Sequence, residues 1–224
     1  MTSDLNSVLN SSSRWTVAQG DCLKLLKTIP DSAVSAVVTD PPYGISYRSK
    51  TFGRIANDGS PFVWWLYDAA RILRDGGALV CFCRWDVQET WRLAIGWAGL
   101  RVRSQVVWDK TTHAAGDCQA QFGPKHEVMW FATKGRFRFP AKRPVSVLRV
   151  AKVPHRRTVH PTEKPIELLE QLLGAVVPAG GLVVDPFVGS GSTGVAALRR
   201  GLRFIGMELE TRYVEAARGR MAEV

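Results

Sequence analysis

The sequence predicts an α/β domain on a largely parallel sheet, and three observations carry that expectation. Short apolar, β-branched runs alternate with helical patterns along most of the 224 residues. Two of those runs end abruptly in turn-forming strings, Asp40-Pro41-Pro42-Tyr43 and Gly189-Ser190-Gly191-Ser192-Thr193-Gly194. The hydrophobic fraction of 46% supports one sizeable core in a chain of this length.

The elements follow in order. Residues 1–14, rich in Ser and Asn, read as a flexible end. Residues 15–19 form a short strand, followed by Gly20-Asp21 and a helical pattern through Leu23, Leu25 and Leu26 that Pro30 ends. Residues 33–39 read as a buried strand, because Val34, Val37 and Val38 sit in a run without charge. Residues 44–60 have no period and suit a mobile lid. A helix over 62–73 is broken by Asp75-Gly76-Gly77, and strands follow over 78–83, 104–108 and 127–132, the first two separated by a helical stretch over 87–98. Pro140, Pro144 and Pro154 argue against a regular element over 134–157. Pro165 opens a helix whose buried stripe is Ile166, Leu168, Leu169, Leu172 and Leu173, ended by Pro178-Ala179-Gly180-Gly181. Strand 182–185, the glycine loop, a helix to Arg200, strand 203–207 and a helix from Arg212 complete a β-α-β-α run. The expected organisation is a first half over 15–133, a basic insert over 134–159 and a second half over 160–224.

Thirty Lys and Arg against twenty Asp and Glu give a formal charge of +10, which favours an anionic partner. The excess is localised: residues 128–162 hold nine basic residues and no acidic one. Arg136, Arg138, Lys142, Arg143, Arg149, Lys152, Arg156 and Arg157 are candidates for tracking phosphates, against the plainer reading of a solvated charged surface. Cys22, Cys81, Cys83 and Cys118 fit neither a zinc spacing nor a secreted disulfide framework, and the histidines show no ligand spacing, so no metal is assigned. Without a signal peptide or a span of about 20 apolar residues, the expected place is the cytoplasm. Trp64, Trp65, Trp91, Trp97 and Trp130 fall in predicted helices or strands and are expected in the core.

Asp40 stands at the carboxyl end of a predicted parallel strand, where open α/β sheets place their ligand crevice. Pro41 and Pro42 fix φ and lack N–H groups, so this loop presents acceptors with few competing donors. Acceptors on both hydrogens of an aromatic amine help localise its delocalised lone pair. A fixed carboxylate also stabilises the positive charge that grows on nitrogen as it attacks an electrophilic methyl group. Tyr43 is placed to stack on a base. A Pro-Pro turn capped by Asp is the plainer alternative.

Gly189, Gly191 and Gly194 let a ligand approach a strand-to-helix turn, but G-x-G-x-x-G equally suggests a dinucleotide site. Asp185 at the strand end suits a ligand ammonium and repels a pyrophosphate, and Glu208, closing the next strand, suits ribose hydroxyls. No P-loop string occurs.

Together the two strings resemble the S-adenosyl-L-methionine (AdoMet)-dependent amino-methyltransferases of DNA, in which Asp-Pro-Pro-Tyr is catalytic and Asp-x-Phe-x-Gly-x-Gly is the AdoMet loop. The catalytic string comes first, as in the β-class, which implies a permuted Rossmann-like methyltransferase sheet, mostly parallel with an antiparallel edge strand and helices on both faces. Gly20-Asp21-Cys22-Leu23, Val107-Trp108-Asp109-Lys110, His126-Glu127 and His160-Pro161-Thr162-Glu163-Lys164-Pro165 match in order, so the resemblance spans roughly residues 15 to 220. It implies catalytic roles for Asp40, Pro41, Pro42 and Tyr43. It places Asp21 and Cys22 by the adenine of AdoMet, Phe187 against the cofactor, Glu208 on its ribose, and Thr162 and Lys164 toward its methionine end. Asp185, Gly189, Ser190, Gly191, Ser192 and Thr193 line the same pocket. An opening Asp points to adenine N6 more than to cytosine N4.

The expectation is methylation of a flipped adenine in double-stranded DNA by direct attack, without a metal. A homodimer and a cognate endonuclease are further partners such an enzyme admits. The alternatives are cytosine N4, RNA or a protein amide as target, or an idle methyltransferase fold that binds DNA.

Overall fold

The computed structural model describes residues 2–44, 48–49, 53–54, 58–113, 118–153 and 163–224. Eight strands form one sheet: β1 (Trp15–Gln19), β2 (Val34–Thr39), β5 (Leu73–Cys83), β6 (Arg101–Asp109), β7 (His126–Thr133), β8 (Val147–Arg149), β9 (Leu182–Asp185) and β10 (Arg203–Glu208). Their spatial order is β1-β10-β9-β2-β5-β7-β6-β8. Two further strands, β3 (Arg48–Ser49) and β4 (Gly53–Arg54), pair antiparallel within the expected lid, much of which lies outside the described residues.

The helices are α1 (Thr2–Leu9), α2 (Cys22–Leu25, continued by a 3-10 turn over Leu26–Thr28), α3 (Leu66–Ile72), α4 (Gln88–Trp97), α5 (Ile166–Val176), α6 (Ser192–Arg199) and α7 (Thr211–Ala222). Alternation along β5 shows how they are shared out. Ala78, Val80 and Phe82 join the core with residues of α5, α6 and α7, whereas Leu79, Cys81 and Cys83 join the core with residues of α1 to α4. A strand buried on both faces leaves no polar alternation, which is why β2 and β9 read as continuous apolar runs.

Four expectations are corrected. The described part of the N-terminal segment is not a loose end: Leu5 and Val8, three apart on α1, are buried at 2% and 0% exposure. The Arg203 guanidinium donates to the Val8 carbonyl and to Ser11 Oγ, satisfying acceptors at the end of α1. The antiparallel strand β7 is not at an edge but between β5 and β6, and the edge strands are β1 and β8. Strand β8 lies in the segment expected to lack regular structure. Leu148 and Val150 turn inward, and Trp108 Nε1 donates to the Val150 carbonyl at 2.7 Å. Of the tryptophans, Trp65 and Trp91 are in the core, but Trp64 and Trp97 are 66% and 72% exposed, because each falls on the outer face of its turn or helix.

No helix among the described residues is long and apolar enough to cross a membrane.

Candidate active site

Parallel strands bring their carboxyl ends to one edge, and the candidate residues collect there: Asp21 after β1, Asp40 after β2, Asp185 at the end of β9 and Glu208 at the end of β10. β2 and β9 are hydrogen-bonded neighbours, with Val37 opposite Val184. The loop after β2 therefore faces the loop after β9, and Thr39 Oγ1 joins them by donating to Asp185 Oδ1, 146 residues later, at 2.6 Å.

In the Asp40 loop, Pro41 is buried and Pro42 and Tyr43 are partly exposed. Tyr43 donates its hydroxyl to Asp40 Oδ1, and the Lys164 ammonium contacts Asp40 Oδ2 at 2.5 Å. Burial pushes the Asp40 carboxyl above its usual range, and Lys164 offsets only part of that. Burial and the Asp40 charge raise the Tyr43 hydroxyl far above its ordinary value, so it stays a neutral donor. Gly44, at φ +83°, packs so closely that a Cβ would lie 2.1 Å from the Pro61 nitrogen, and its N–H donates to the buried Asp58 carboxylate at 2.6 Å. Together these contacts pin the chain just beyond Tyr43.

Lys164 is not directed simply at a cofactor tail, as the resemblance implied. It is buried, 3.4 Å from Glu127 Oε2 as well as against Asp40, and it lies over the Phe82 ring. Thr162 lies outside the described residues, as do Arg156 and Arg157.

The glycine loop has its own geometry. Gly189 and Gly191 adopt φ +52° and +89°, conformations that favour glycine. Glu208 Oε2 accepts from the Gly189 N–H at 3.0 Å, while Oε1 accepts from Leu209 and Glu210 N–H groups. The carboxylate thus shapes the loop and retains about one further lone-pair site, enough for one ribose hydroxyl. Gly194 serves packing, since a Cβ there would meet Met221 Sδ at 2.1 Å and the Phe204 ring at 2.9 Å. Phe187 stands edge-on to Trp65 and Phe62, with ring centroids 5.5 and 6.1 Å away, forming an apolar wall beside the loop. Asp21 caps α2 by accepting from the Leu23 N–H at 2.9 Å.

Two cofactor candidates are set differently from expectation. The Asp185 carboxylate is 2% exposed and is engaged by Thr39, by the Phe187 N–H at 3.0 Å and by Thr193. These contacts fix the carboxylate inside the loop, and burial raises its pKa to about 6. The Cys22 side chain packs in the core, where burial pushes the thiol up to about 12.

An AdoMet-shaped ligand fits this donor set: left-handed glycines allow close backbone approach, Phe187 supplies a flat apolar wall, and Glu208 supplies an acceptor. The sequence model of the N6/N4 DNA methylases matches residues 34–219. The chain belongs to that family. The putative methylase YubD of Escherichia coli is 36% identical over 210 residues, covering 92% of this chain and 89% of that protein. The structure of M1.HpyAVI in complex with SAM matches with a TM-score of 0.76 at 22% identity, covering 92% of this chain and 98% of that one. The cytosine-N4-specific PvuII DNA methyltransferase matches with a TM-score of 0.76 at 20% identity, covering 93% and 86%. These two structures establish a common fold.

In this methylase, residues outside the original candidates complete the site. Glu127 and Lys110, from β7 and the end of β6, form an ion pair at 3.4 Å that continues to Lys164 and Asp40. The Glu163 carboxylate receives the Arg220 guanidinium at 2.9 Å, and Arg220 also donates to the Ser190 carbonyl and Oγ. This clamp ties the segment before α5 to the glycine loop, and it engages Ser190 and Ser192, which were expected to face the cofactor. Glu127, Lys110 and Glu163 stand in matched strings, but neither hydropathy nor spacing marks them as a cluster. The insert arginines Arg136 and Arg138 are exposed while Phe137 and Phe139 pack on Phe131 with ring centroids 5.3 and 5.7 Å away, so the alternation Arg-Phe-Arg-Phe fixes a basic outer face. Lys142, Arg143, Arg149 and Lys152 are exposed as well.

Proposed function

We propose that this DNA methylase transfers the methyl group of AdoMet to the exocyclic N6 of an adenine flipped out of duplex DNA. The reading is carried by Asp40, a half-buried carboxylate at a strand end, held by Tyr43 on one oxygen and Lys164 on the other. When bound, AdoMet supplies a sulfonium-activated methyl group. The exposed cations Arg136, Arg138, Lys142 and Arg143, continued in sequence by Arg156 and Arg157, suit phosphate contacts that position a duplex without reading it.

Asp40 and the Pro41 carbonyl accept the two amino hydrogens and draw the nitrogen lone pair out of conjugation with the ring, localising it on nitrogen. The prolines limit competing donors, and Tyr43 and Lys164 hold the carboxylate in one orientation, so little reorganisation accompanies the reaction. As positive charge grows on N6, the negative Asp40 stabilises it more than the neutral ground state. The methylated amine then sheds a proton to an acceptor at the same position. Activity therefore falls as pH drops through the Asp40 pKa, which burial holds above the ordinary carboxylate range.

Adenine is favoured over cytosine by the Asp that opens the catalytic string. Cytosine N4 is the alternative target. A cognate endonuclease and a homodimer are partners this function admits. Tritiated methyl transfer from AdoMet into duplex DNA tests the activity. Wild type should label DNA and Asp40→Ala should not, although the variant still binds AdoMet in calorimetry; normal labelling by the variant excludes this mechanism.

A further inference from the structure

Four charged side chains alternate in sign from β6 to the catalytic loop. Lys110 Nζ lies 3.4 Å from Glu127 Oε1, Lys164 Nζ lies 3.4 Å from Glu127 Oε2, and the same ammonium reaches Asp40 Oδ2. Lys110 and Lys164 are each 8% exposed, a position lysine takes only when paired. Taking charges out of water is costly, so an isolated Lys164–Asp40 pair would be the simpler way to fill this space. A second anion and a second cation call for another explanation.

That explanation lies in what Asp40 must do. Unpaired, with burial raising its pKa, it would take up a proton more readily and stabilise positive charge on the substrate amine less. Fully neutralised by an undivided ammonium, it would stay ionised but its field and accepting oxygen would be taken up. Resting on the functional reading above, we infer that Glu127 is a positioning residue that shares the Lys164 ammonium with Asp40, leaving Asp40 ionised yet open to the substrate amine.

Among the described residues, the other titratable groups around Asp40 include the Tyr43 hydroxyl, two thiols and the Asp185 carboxyl. Tyr43 is a neutral donor, and the thiols of Cys81 and Cys83 on β5 are pushed up by burial, Cys83 to about 12. Asp185 on β9 is a further negative group within reach. For Glu127, burial raises the carboxyl, but Lys164 and Lys110 together bring it below its ordinary value, so it is an anion. For Asp40, Lys164 opposes the effect of burial while Glu127 adds to it.

The inference makes two variants move Asp40 in opposite directions. Glu127→Gln removes the competing anion, so the Asp40 midpoint falls. Lys164→Met removes the cation, so it rises. The midpoint is read by carbon-13 NMR of the aspartate carboxyls in the full-length protein, with Asp40→Asn identifying the signal. The acid limb of kcat on duplex DNA should follow each shift. Glu127→Gln should also lose about tenfold or more in kcat at its optimum with KM for AdoMet little changed, and Glu127→Asp should recover most of it. Should Lys164→Met fail to fold, Lys110→Met serves instead: it frees Glu127 to draw Lys164 away, and the midpoint again rises. Unmoved midpoints, or shifts of one sign in both variants, overturn the inference. Absence of methylation by the wild type instead refutes the functional reading, while the NMR arm still decides the charge sharing.

Discussion

Asp185→Asn should make the protein more stable and its methyl donor weaker bound. Burial raises the Asp185 carboxyl from 3.8 to about 6 against the opposing effects of the Thr39 and Thr193 hydroxyls and the Phe187 N–H. Because the folded pKa is raised, the associated stability is fully present below 3.8 and is lost as pH rises through about 6. At about 1.4 kcal/mol per pH unit, that gap is worth roughly 3 kcal/mol. The amide keeps an oxygen for Thr39 and the Phe187 N–H and turns its NH2 toward Thr193, whose hydroxyl can accept. Urea unfolding at pH 7.5 should show a gain approaching roughly 3 kcal/mol, shrinking by about half at pH 5 as wild-type Asp185 takes up its proton. Calorimetry at pH 7.5 should show weaker AdoMet binding, because a negative charge beneath the loop favours the cationic donor. A variant less stable than wild type by the same amount at both pH values would refute the reasoning.

Other outcomes follow from the same geometry. Gly191→Ala meets both a left-handed φ and Ala217 atoms 2.9 Å from the new Cβ. It should cost about 1–2 kcal/mol for the conformation alone and disrupt AdoMet binding in calorimetry. Gly194→Ala meets Met221 and Phe204 instead, so a thermal melt should report overpacking of about 1–3 kcal/mol with donor affinity largely retained. Replacing Arg136, Arg138, Lys142 and Arg143 together by Ala should flatten the slope of log affinity for duplex DNA against log salt by about 3 to 4, as expected for lost phosphate contacts, while AdoMet affinity is unchanged. Leu5→Ala should cost about 2–5 kcal/mol in urea unfolding, whereas a loose N-terminus would show no change.

The parts of this molecule legible in its sequence are those where local chemistry and chain order coincide. The β2 strand shows itself as an uncharged β-branched run, and Asp40-Pro41-Pro42-Tyr43 marks its end because prolines cannot continue a central strand. Gly189 and Gly191 announce a turn that the structure places at positive φ. What sequence did not reveal depends on which distant side chains meet. Lys164 stands in a string of the second half of the chain, and its partners Asp40 and Glu127 come from the loop after β2 and from β7. Asp185 looked available to a ligand because strand ends line crevices, but Thr39 from the neighbouring strand closes over it. Helix α1 has only Leu5, Val8 and the partly buried Leu9 to declare its inner face, too few to stand out from Ser and Asn. β8 is hidden by flanking prolines and basic residues, and only its pairing with β6 makes Leu148 and Val150 a buried face. The exposed Trp64 and Trp97 show that an aromatic residue in a helical pattern reports the helix, not the side it faces.

The central claim, adenine N6 methylation through Asp40, is tested most directly by mass spectrometry of nucleosides from unmethylated duplex DNA incubated with the protein and AdoMet. Wild type should yield N6-methyldeoxyadenosine, and Asp40→Ala should yield none while retaining AdoMet binding. N4-methyldeoxycytidine as the product, or undiminished N6-methyldeoxyadenosine from Asp40→Ala, would contradict the account.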